Sequence, residues 1–313
     1  MNLNVFFKLV EIQTKLASLF PFIIGVLFSQ YYFDQIKWSN TIIFFLGMLV
    51  FDMCTTAINN YMDFRKAKNE TYKYETNIVG QAGLSDKTVQ TLIFAMIGFA
   101  MIVGIYLSVK TGWLLLVMGG LCCLIGIFYT FGPVPLSRMP LGELFSGVTM
   151  GLGIFLITVY INTYDLGFFF LSLKDWQFNL VGDLRKLIPV GLASLPMIFT
   201  IANIMLANNL CDLDEDITNH RYTLPYYIGR KNGILLFNIL MYSCYLVMIV
   251  GVIFKVYHPI MLIVLLTLPL IMKNVKAFSA KQVKRETFVI SIKNLVIFNS
   301  AQIIGLIASI LLK

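Results

Sequence analysis

Charge is scarce in this chain. Lys, Arg, Asp and Glu make up only 13% of its 313 residues, whereas a soluble domain of this size carries roughly a quarter. Histidine occurs twice, at His220 and His258, which excludes a histidine-rich metal centre. The five cysteines (Cys54, Cys122, Cys123, Cys211 and Cys244) show no C-x-x-C spacing and lie in or near apolar segments. They read as small packing residues, not as a disulfide framework or a zinc site. The N-terminal apolar run is interrupted by Glu11 and Lys15 and lacks a small-residue cleavage site, so it reads as retained. Nothing in the charge distribution calls for nucleic acid.

Long apolar runs fill the space that charge leaves. The chain is 58% hydrophobic, with a mean hydropathy of +0.80. Nine stretches are able to span a bilayer, at about 13–33, 40–62, 88–109, 112–131, 141–162, 187–209, 232–254, 258–273 and 289–312. A spanning helix takes roughly 20 apolar residues, so the eighth is marginal. The runs are uniformly apolar and do not alternate, which excludes a transmembrane β-barrel. The expectation is an all-α polytopic membrane protein, one domain over 1–313, with nine transmembrane helices.

Nine helices put the termini on opposite sides. The side holding the N-terminus carries 17 of the 24 basic residues and the other side 7. Basic residues favour the cytoplasm, so the N-terminus and the loops after the even-numbered helices are expected there, in a multi-pass cell-membrane protein. The net charge of +8 is mostly this asymmetry and suits anionic headgroups or an anionic substrate.

Two polar clusters break the apolar pattern at the ends of the second and sixth stretches. One reads Asn59-Asn60-Tyr61-Met62-Asp63; the other runs from Asn208-Asn209 through Asp212-Leu213-Asp214-Glu215-Asp216. Asn59/Asp63 and Asp212/Asp216 are i,i+4 pairs, so each pair is expected on one helix face. Asp214 and Glu215 fall between the partners and are expected to point elsewhere. A carboxylate beside hydrocarbon is costly, and is a functional hypothesis by default. Residues 59 and 212, and residues 63 and 216, are each 153 apart, which suits a duplicated helical unit. Asp52, two turns before Asn59, either extends the site or has a local partner.

Basic loops come after both clusters. The first holds Arg65, Lys66, Lys68 and Lys73; the second holds His220, Arg221, Arg230 and Lys231. These bases also serve to set topology. The loop at 163–186, with Phe168–Phe170 and Trp176, is expected to lie on the bilayer surface as an amphipathic segment. Carboxylate and amide oxygens are hard ligands suited to Mg²⁺, which usually sits between one or two carboxylates and a substrate phosphate. Both clusters are read as helix C-termini, where the macrodipole favours a cation. Acids for a metal, bases for phosphate and an apolar helical interior describe a site for a lipid diphosphate.

These residues resemble the UbiA-type intramembrane aromatic prenyltransferases, which have nine helices and aspartate-rich N-D-x-x-D and D-x-x-x-D motifs. The second motif matches in full. The first departs from the pattern, with Asn60 in place of the usual aspartate and Ala67 where many members carry a further acid. The stretch from Asn208 to Asp216 and on through Asn219-His220-Arg221-Tyr222-Thr223-Leu224 is similar to the branch that prenylates 1,4-dihydroxy-2-naphthoate in menaquinone synthesis, with Arg221 where lysine is common. Tyr129-Thr130-Phe131-Gly132-Pro133 through Leu141-Gly142-Glu143, and Thr14-Lys15-Leu16-Ala17-Ser18, are also similar to that branch. The likeness ends near residue 231.

The resemblance implies Mg²⁺ held by Asn59, Asp63, Asp212 and Asp216, with Asn208 beside them. It implies a polyprenyl diphosphate donor steadied by Arg221 and one or more of Arg65, Lys66 and Lys73. It implies an aromatic acid acceptor oriented by candidates among Lys15, Tyr129, Arg138 and Glu143, with the lipid bilayer around the isoprenoid tail. The alternatives are another acceptor, such as 4-hydroxybenzoate or haem, and a cation-coupled transporter. The transporter fits less well, because carrier sites tend towards the midplane and these acids lie at one end.

Overall fold

Hydrocarbon offers the backbone no hydrogen-bond partner, so each apolar stretch closes its bonds on itself as a helix. The computed structural model describes residues 1–67, 70–129, 135–174 and 176–313. Lys68 and Thr130-Phe131-Gly132-Pro133 lie outside the described residues. Among the described residues, eight helices are long and apolar enough to cross a membrane: α1 (Ile12–Phe33), α2 (Trp38–Lys66), α3 (Asp86–Thr111), α5 (Gly142–Leu166), α6 (Leu184–Cys211), α7 (Leu224–Ile253), α8 (Pro259–Ala280) and α9 (Phe288–Leu311). A shorter apolar helix, α4 (Trp113–Phe128), stands between α3 and α5. Every apolar stretch read from the sequence falls on one of these nine, and the chain is a polytopic helical membrane protein.

The marginal eighth stretch reaches across by changing its geometry. Pro259–Thr267 is a 3₁₀ run, and α-helix continues it over Leu268–Ala280. With ~2.0 Å of rise per 3₁₀ residue against ~1.5 Å in an α-helix, the segment extends about 37 Å, a few ångströms more than it would as α-helix throughout.

Polar ties at the helix ends fix which ends meet. At the end away from the acidic clusters, the Asn162 Oδ1 on α5 accepts from the Lys37 amide at 2.6 Å and the Thr41 hydroxyl at 3.0 Å, and Asn40 Nδ2 donates to the Ile161 carbonyl at 3.0 Å. Lys313 Nζ donates to the Tyr31 carbonyl at 3.1 Å, tying α9 to α1 at that same end. At the acidic end, Arg65 pairs with Asp86, joining the end of α2 to the start of α3. Apolar packing between these ends falls into groups. The largest buries side chains of α1 and α5–α9, including Phe28, Phe155, Met197, Phe237, Met261 and Phe298. A second joins α2 and α3 to an N-terminal helix, Leu3–Leu9, through Leu9, Val10, Cys54, Ile58 and Val89.

The crossing of α5 and α6 shapes the acidic end. Helix α5 contains a π-helical stretch, Gly147–Gly153, and its Gly147 and Gly151 lie directly on the backbone of α6. A Cβ at Gly151 would come within 2.6 Å of the Ile198 nitrogen, and one at Gly147 within 2.8 Å of the Ile198 carbonyl oxygen. Small residues four apart permit this approach between membrane helices. The approach sets the start of α5 beside the end of α6.

The segment at 163–186 forms a hairpin: Phe169–Lys174 (β1) and Gln177–Gly182 (β2) pair antiparallel, with Phe169 opposite Gly182. Its Phe and Val residues favour strand, and β1 packs Leu171 against α3, α4 and α5. One expectation needs correction, and it concerns the acidic cluster after α6. The helix ends at Cys211, and Asp212 both closes it and opens a separate short helix, Leu213–Thr218. Asp216 still bonds back to the Asp212 carbonyl at 2.8 Å, so the i,i+4 relation survives. The C-terminal dipole argument, however, reaches only Asp212, because Asp214, Glu215 and Asp216 sit in the first turn of a new helix.

The Gly151 approach predicts that Gly151→Val lowers the melting temperature in detergent, since overpacking of this kind costs about 1–3 kcal/mol. Gly191→Ala on α6, where an added Cβ meets nothing within 4 Å, should leave it unchanged. Thermal unfolding of the two variants by tryptophan fluorescence checks the contrast.

Candidate active site

The first motif lies in the last two turns of α2. Asn59 and Asp63 are one helical turn apart, and Asp63 is exposed at the acidic end. The charges acting on Asp63 come from Arg221, Arg138 and Lys66, with Glu11 opposing. Arg221 belongs to the loop after α6, so its charge reaches the first motif from the second. Asn60, where the sequence departs from the family pattern, turns aside. Its Nδ2 donates to the Leu9 carbonyl at 2.9 Å and to Glu11 Oε1 at 3.3 Å, and its own carbonyl accepts from Asn77 at 2.9 Å. The Asn60 amide nitrogen is engaged in holding α2 against the N-terminal helix.

The second motif divides its acids between two directions. Asp214 is exposed and pairs with Arg230 at 2.8 Å, and Glu215 is also exposed. Asp216 is buried. Burial pushes its carboxyl above the ordinary carboxylate range, while the Arg221 guanidinium draws it back down. Its Oδ1 lies 3.5 Å from Arg221 Nη1, and its Oδ2 is buried with no partner among the described residues.

Arg221 is placed by backbone as well as by charge. After the short helix, His220 adopts a left-handed conformation at φ 53°, which turns the chain back so that the Arg221 amide donates to the Asp216 carbonyl at 2.8 Å. The guanidinium then donates to the Ser137 carbonyl from Nη2 at 3.0 Å and from Nε at 3.3 Å. This draws the loop between α4 and α5 into the site, and Tyr129 and Glu143 come with it, both within the field of Arg221. Glu143 is buried and accepts from Asn209 Nδ2 at 2.8 Å through Oε1. Its Oε2, Asn209 Oδ1 and the Tyr129 hydroxyl have no hydrogen-bond partner among the described residues. Four buried oxygens around one guanidinium are therefore available to a ligand, and the close α5–α6 crossing brings their helices together.

The remaining candidates divide. Arg138 and Lys66 are exposed at the acidic end and act on Asp63. Arg65 is taken up by Asp86. Lys73 lies over the rings of Phe64 and Tyr74, at 5.1 and 5.7 Å from their centroids. Lys15 is buried in an ion pair with Asp52 at 2.8 Å, and donates also to the Thr56 hydroxyl at 2.6 Å and the Asp52 carbonyl at 3.1 Å. Ser18 completes Asp52 from the other oxygen at 2.5 Å. Asp52 thus has a local partner, and all three donors of Lys15 are directed at α2.

One residue of the site was not anticipated. Lys284, in the turn between α8 and α9, donates to both Asn208 Oδ1 and Asp212 Oδ2, the latter at 2.5 Å. The only signal in the sequence was the basic run Lys281, Lys284, Arg285, which also serves topology.

Among the described residues, no three His, Cys, Asp or Glu side chains converge on a single point. Arg221 lies against Asp216 and Lys284 against Asp212. The donors nonetheless fit Mg²⁺. They are carboxylate and amide oxygens, one of them buried and unpartnered on Asp216. Mg²⁺ needs only one or two carboxylates when phosphate oxygens and water complete its shell.

Known proteins share the helical architecture of this chain. A 1,4-dihydroxy-2-naphthoate octaprenyltransferase of Bacillus subtilis (strain 168) is 27% identical over 283 residues, covering 88% of this chain and 82% of its own. The apo structure of a UbiA homolog from Aeropyrum pernix K1 superposes with a TM-score of 0.66 at 17% identity, over 93% of this chain and 98% of that one. A UbiA homolog from Archaeoglobus fulgidus, bound to DMAPP and Mg²⁺, does so with a TM-score of 0.63 at 12% identity, over 98% and 99%. A profile of the UbiA prenyltransferase family matches residues 18–292, taking in both acidic motifs and Arg221, and the chain belongs to that family.

Proposed function

We propose that this chain transfers a polyprenyl group from polyprenyl diphosphate to 1,4-dihydroxy-2-naphthoate, with Mg²⁺ and with loss of carbon dioxide, to give demethylmenaquinol. The observation that carries the reading is Arg221, 3.5 Å from Asp216 of the second motif and with its charge acting on Asp63 of the first. A cation so placed among acids has an anion as its natural guest. The Bacillus subtilis relative supports the naphthoate acceptor, and the Archaeoglobus fulgidus homolog supports an allylic diphosphate with Mg²⁺.

Asn59, Asp63, Asp212 and Asp216 would hold Mg²⁺, which supplies neutralisation of the diphosphate as its charge grows. Arg221, with Arg138 and Lys66 at the mouth, receives the outer phosphate oxygens and stabilises the leaving diphosphate as the allylic C–O bond breaks. The ring carbon bearing the carboxylate then forms the new C–C bond. The carboxylate leaves as carbon dioxide and its bonding electrons restore the aromatic ring. Tyr129 and Glu143, with their unpartnered oxygens, orient the acceptor's hydroxyl groups; the isoprenoid tail lies among apolar helices. The basic asymmetry favours a cytoplasmic acidic end and N-terminus.

Asp63→Ala and Asp212→Ala should each reduce product formation by about 100-fold or more, the scale expected when charge stabilisation of a leaving group is lost. Both should keep the wild-type melting temperature. Chelation should stop turnover and added Mg²⁺ should restore it. Product masses from a panel of aromatic acids identify the acceptor, and a product with 4-hydroxybenzoate but none with the naphthoate would overturn its assignment.

Arg221 separates donor from acceptor. Arg221→Lys keeps the charge but loses the planar fork, so activity should fall only in part. Arg221→Ala should raise the donor KM by about 10-fold or more, as expected for a charge-assisted contact worth ~1.5–3 kcal/mol, and should leave the acceptor KM nearly unchanged. Separate saturation curves decide, and a rise confined to the acceptor would move Arg221 to the aromatic carboxylate.

A further inference from the structure

We propose that Lys284 acts as an internal counter-ion, occupying the cation position of the second acidic motif in the substrate-free protein and moving to the diphosphate when metal and donor bind. This rests on the metal–diphosphate reading of the site and adds a residue and a sequence of events to it. Three observations carry it. First, the Lys284 ammonium bridges Asn208 Oδ1 and Asp212 Oδ2, two hard oxygens one turn apart that a divalent cation would otherwise use. A metal ion cannot take these oxygens until the ammonium leaves them.

Second, Lys284 arrives from outside the motif on a firmly built turn. Lys281 pairs with Glu286 at 2.7 Å, the Thr287 amide donates to the Val283 carbonyl at 2.8 Å, and the Thr287 hydroxyl accepts from the Val283 amide at 2.8 Å. The backbone is anchored, while the lysine stem is long and its side chain is 42% exposed against 22% for Asp212. The ammonium can therefore swing without the turn moving. Third, an alternative resting place is already present, because Lys284 Nζ lies 5.0 Å from the centroid of the Phe288 ring. The natural destination of the ammonium is the phosphate oxygen that the same metal brings in.

The consequence is a coupling between ligands. Metal alone must compete with Lys284 for Asp212. Metal with diphosphate repels the ammonium from the carboxylate but offers it a new partner, so the two bind better together than apart.

The test measures binding without turnover. Mn²⁺ serves as the metal probe, with free ion monitored by electron paramagnetic resonance, and full-length protein is used in detergent. Four proteins are compared: wild type, Lys284→Gln, Lys284→Arg and Asp212→Asn. With Mn²⁺ alone, Lys284→Gln should bind about 5-fold more tightly than wild type, the upper range for releasing a partly exposed ion pair. Lys284→Arg should stay near wild type. With inorganic pyrophosphate added, Lys284→Gln should hold pyrophosphate more weakly than wild type. Equal Mn²⁺ affinity in wild type and Lys284→Gln overturns the counter-ion role, and equal pyrophosphate affinity overturns the transfer. Wild-type binding of Mn²⁺ that Asp212→Asn leaves undiminished would instead defeat the metal-site reading beneath it, so the two failures are distinct.

Discussion

Carboxylates gathered at the edge of hydrocarbon repel one another and resist desolvation, so they stay together only if positive charge is fixed among them. Here that charge is Arg221. Its guanidinium lies against Asp216, acts on Asp63 and Glu143, and anchors itself on the Ser137 carbonyl. Three separate parts of the chain are thereby held to one point: the end of α2, the loop before α5 and the turn after α6. Lysine, as a flexible point charge with no planar fork, would not bind a carbonyl from two nitrogens while also facing carboxylates on either side. The arrangement depends in turn on the left-handed turn at His220, which aims the arginine back over the acids instead of out into solvent.

Apolar length and acidic spacing were legible from the sequence because each leaves a local signature. Among the described residues the apolar runs fall on eight spanning helices and one shorter one, and Asn59, Asp63, Asp212 and Asp216 stand out as oxygens where oxygens are expensive. Contacts between distant segments leave no such mark. Lys284 lies 72 residues beyond Asp212 and looked like any other basic residue flanking a membrane helix. Lys15 looked like a site residue until its three donors were seen to be directed at α2. Asn60 is the instructive case. As a departure from a motif it raised the question of a weakened metal site, yet its amide nitrogen is occupied with Leu9 and Glu11, a role that only the folded N-terminal helix defines. The hairpin at 169–182 escaped for a different reason: aromatic residues mark an amphipathic segment without saying whether it is helix or strand, and pairing decides.

The bundle is held differently at its two ends. Away from the acids, neutral amides and hydroxyls join helices directly, through Asn40, Thr41 and Asn162, beside the Lys37–Asp165 ion pair and the Lys313 ammonium on the Tyr31 carbonyl. At the acidic end the connections are ionic and several run through long, flexible side chains, among them Arg65, Arg230 and Lys284. Neutral hydrogen bonds leave a seam whose strength is indifferent to ligands. Ionic contacts respond to every charge that enters. One end thus serves as a fixed frame and the other can rearrange around an anionic guest, with the close α5–α6 crossing transmitting the rigidity of the first to the floor of the second.

The Lys15–Asp52 pair has a consequence for how such a chain can change over generations. Lys15 is buried and Asp52 largely so, and each satisfies the other with help from Ser18 and Thr56. Losing either alone strands a charge in the bundle at a cost of about 3–5 kcal/mol, whereas losing both for apolar residues of similar volume is close to neutral. The intermediate is the barrier. Positions 15 and 52 are therefore expected to behave as one heritable character, kept together or exchanged together. Across related chains the identity at one foretells the identity at the other, although they lie 37 positions apart in sequence.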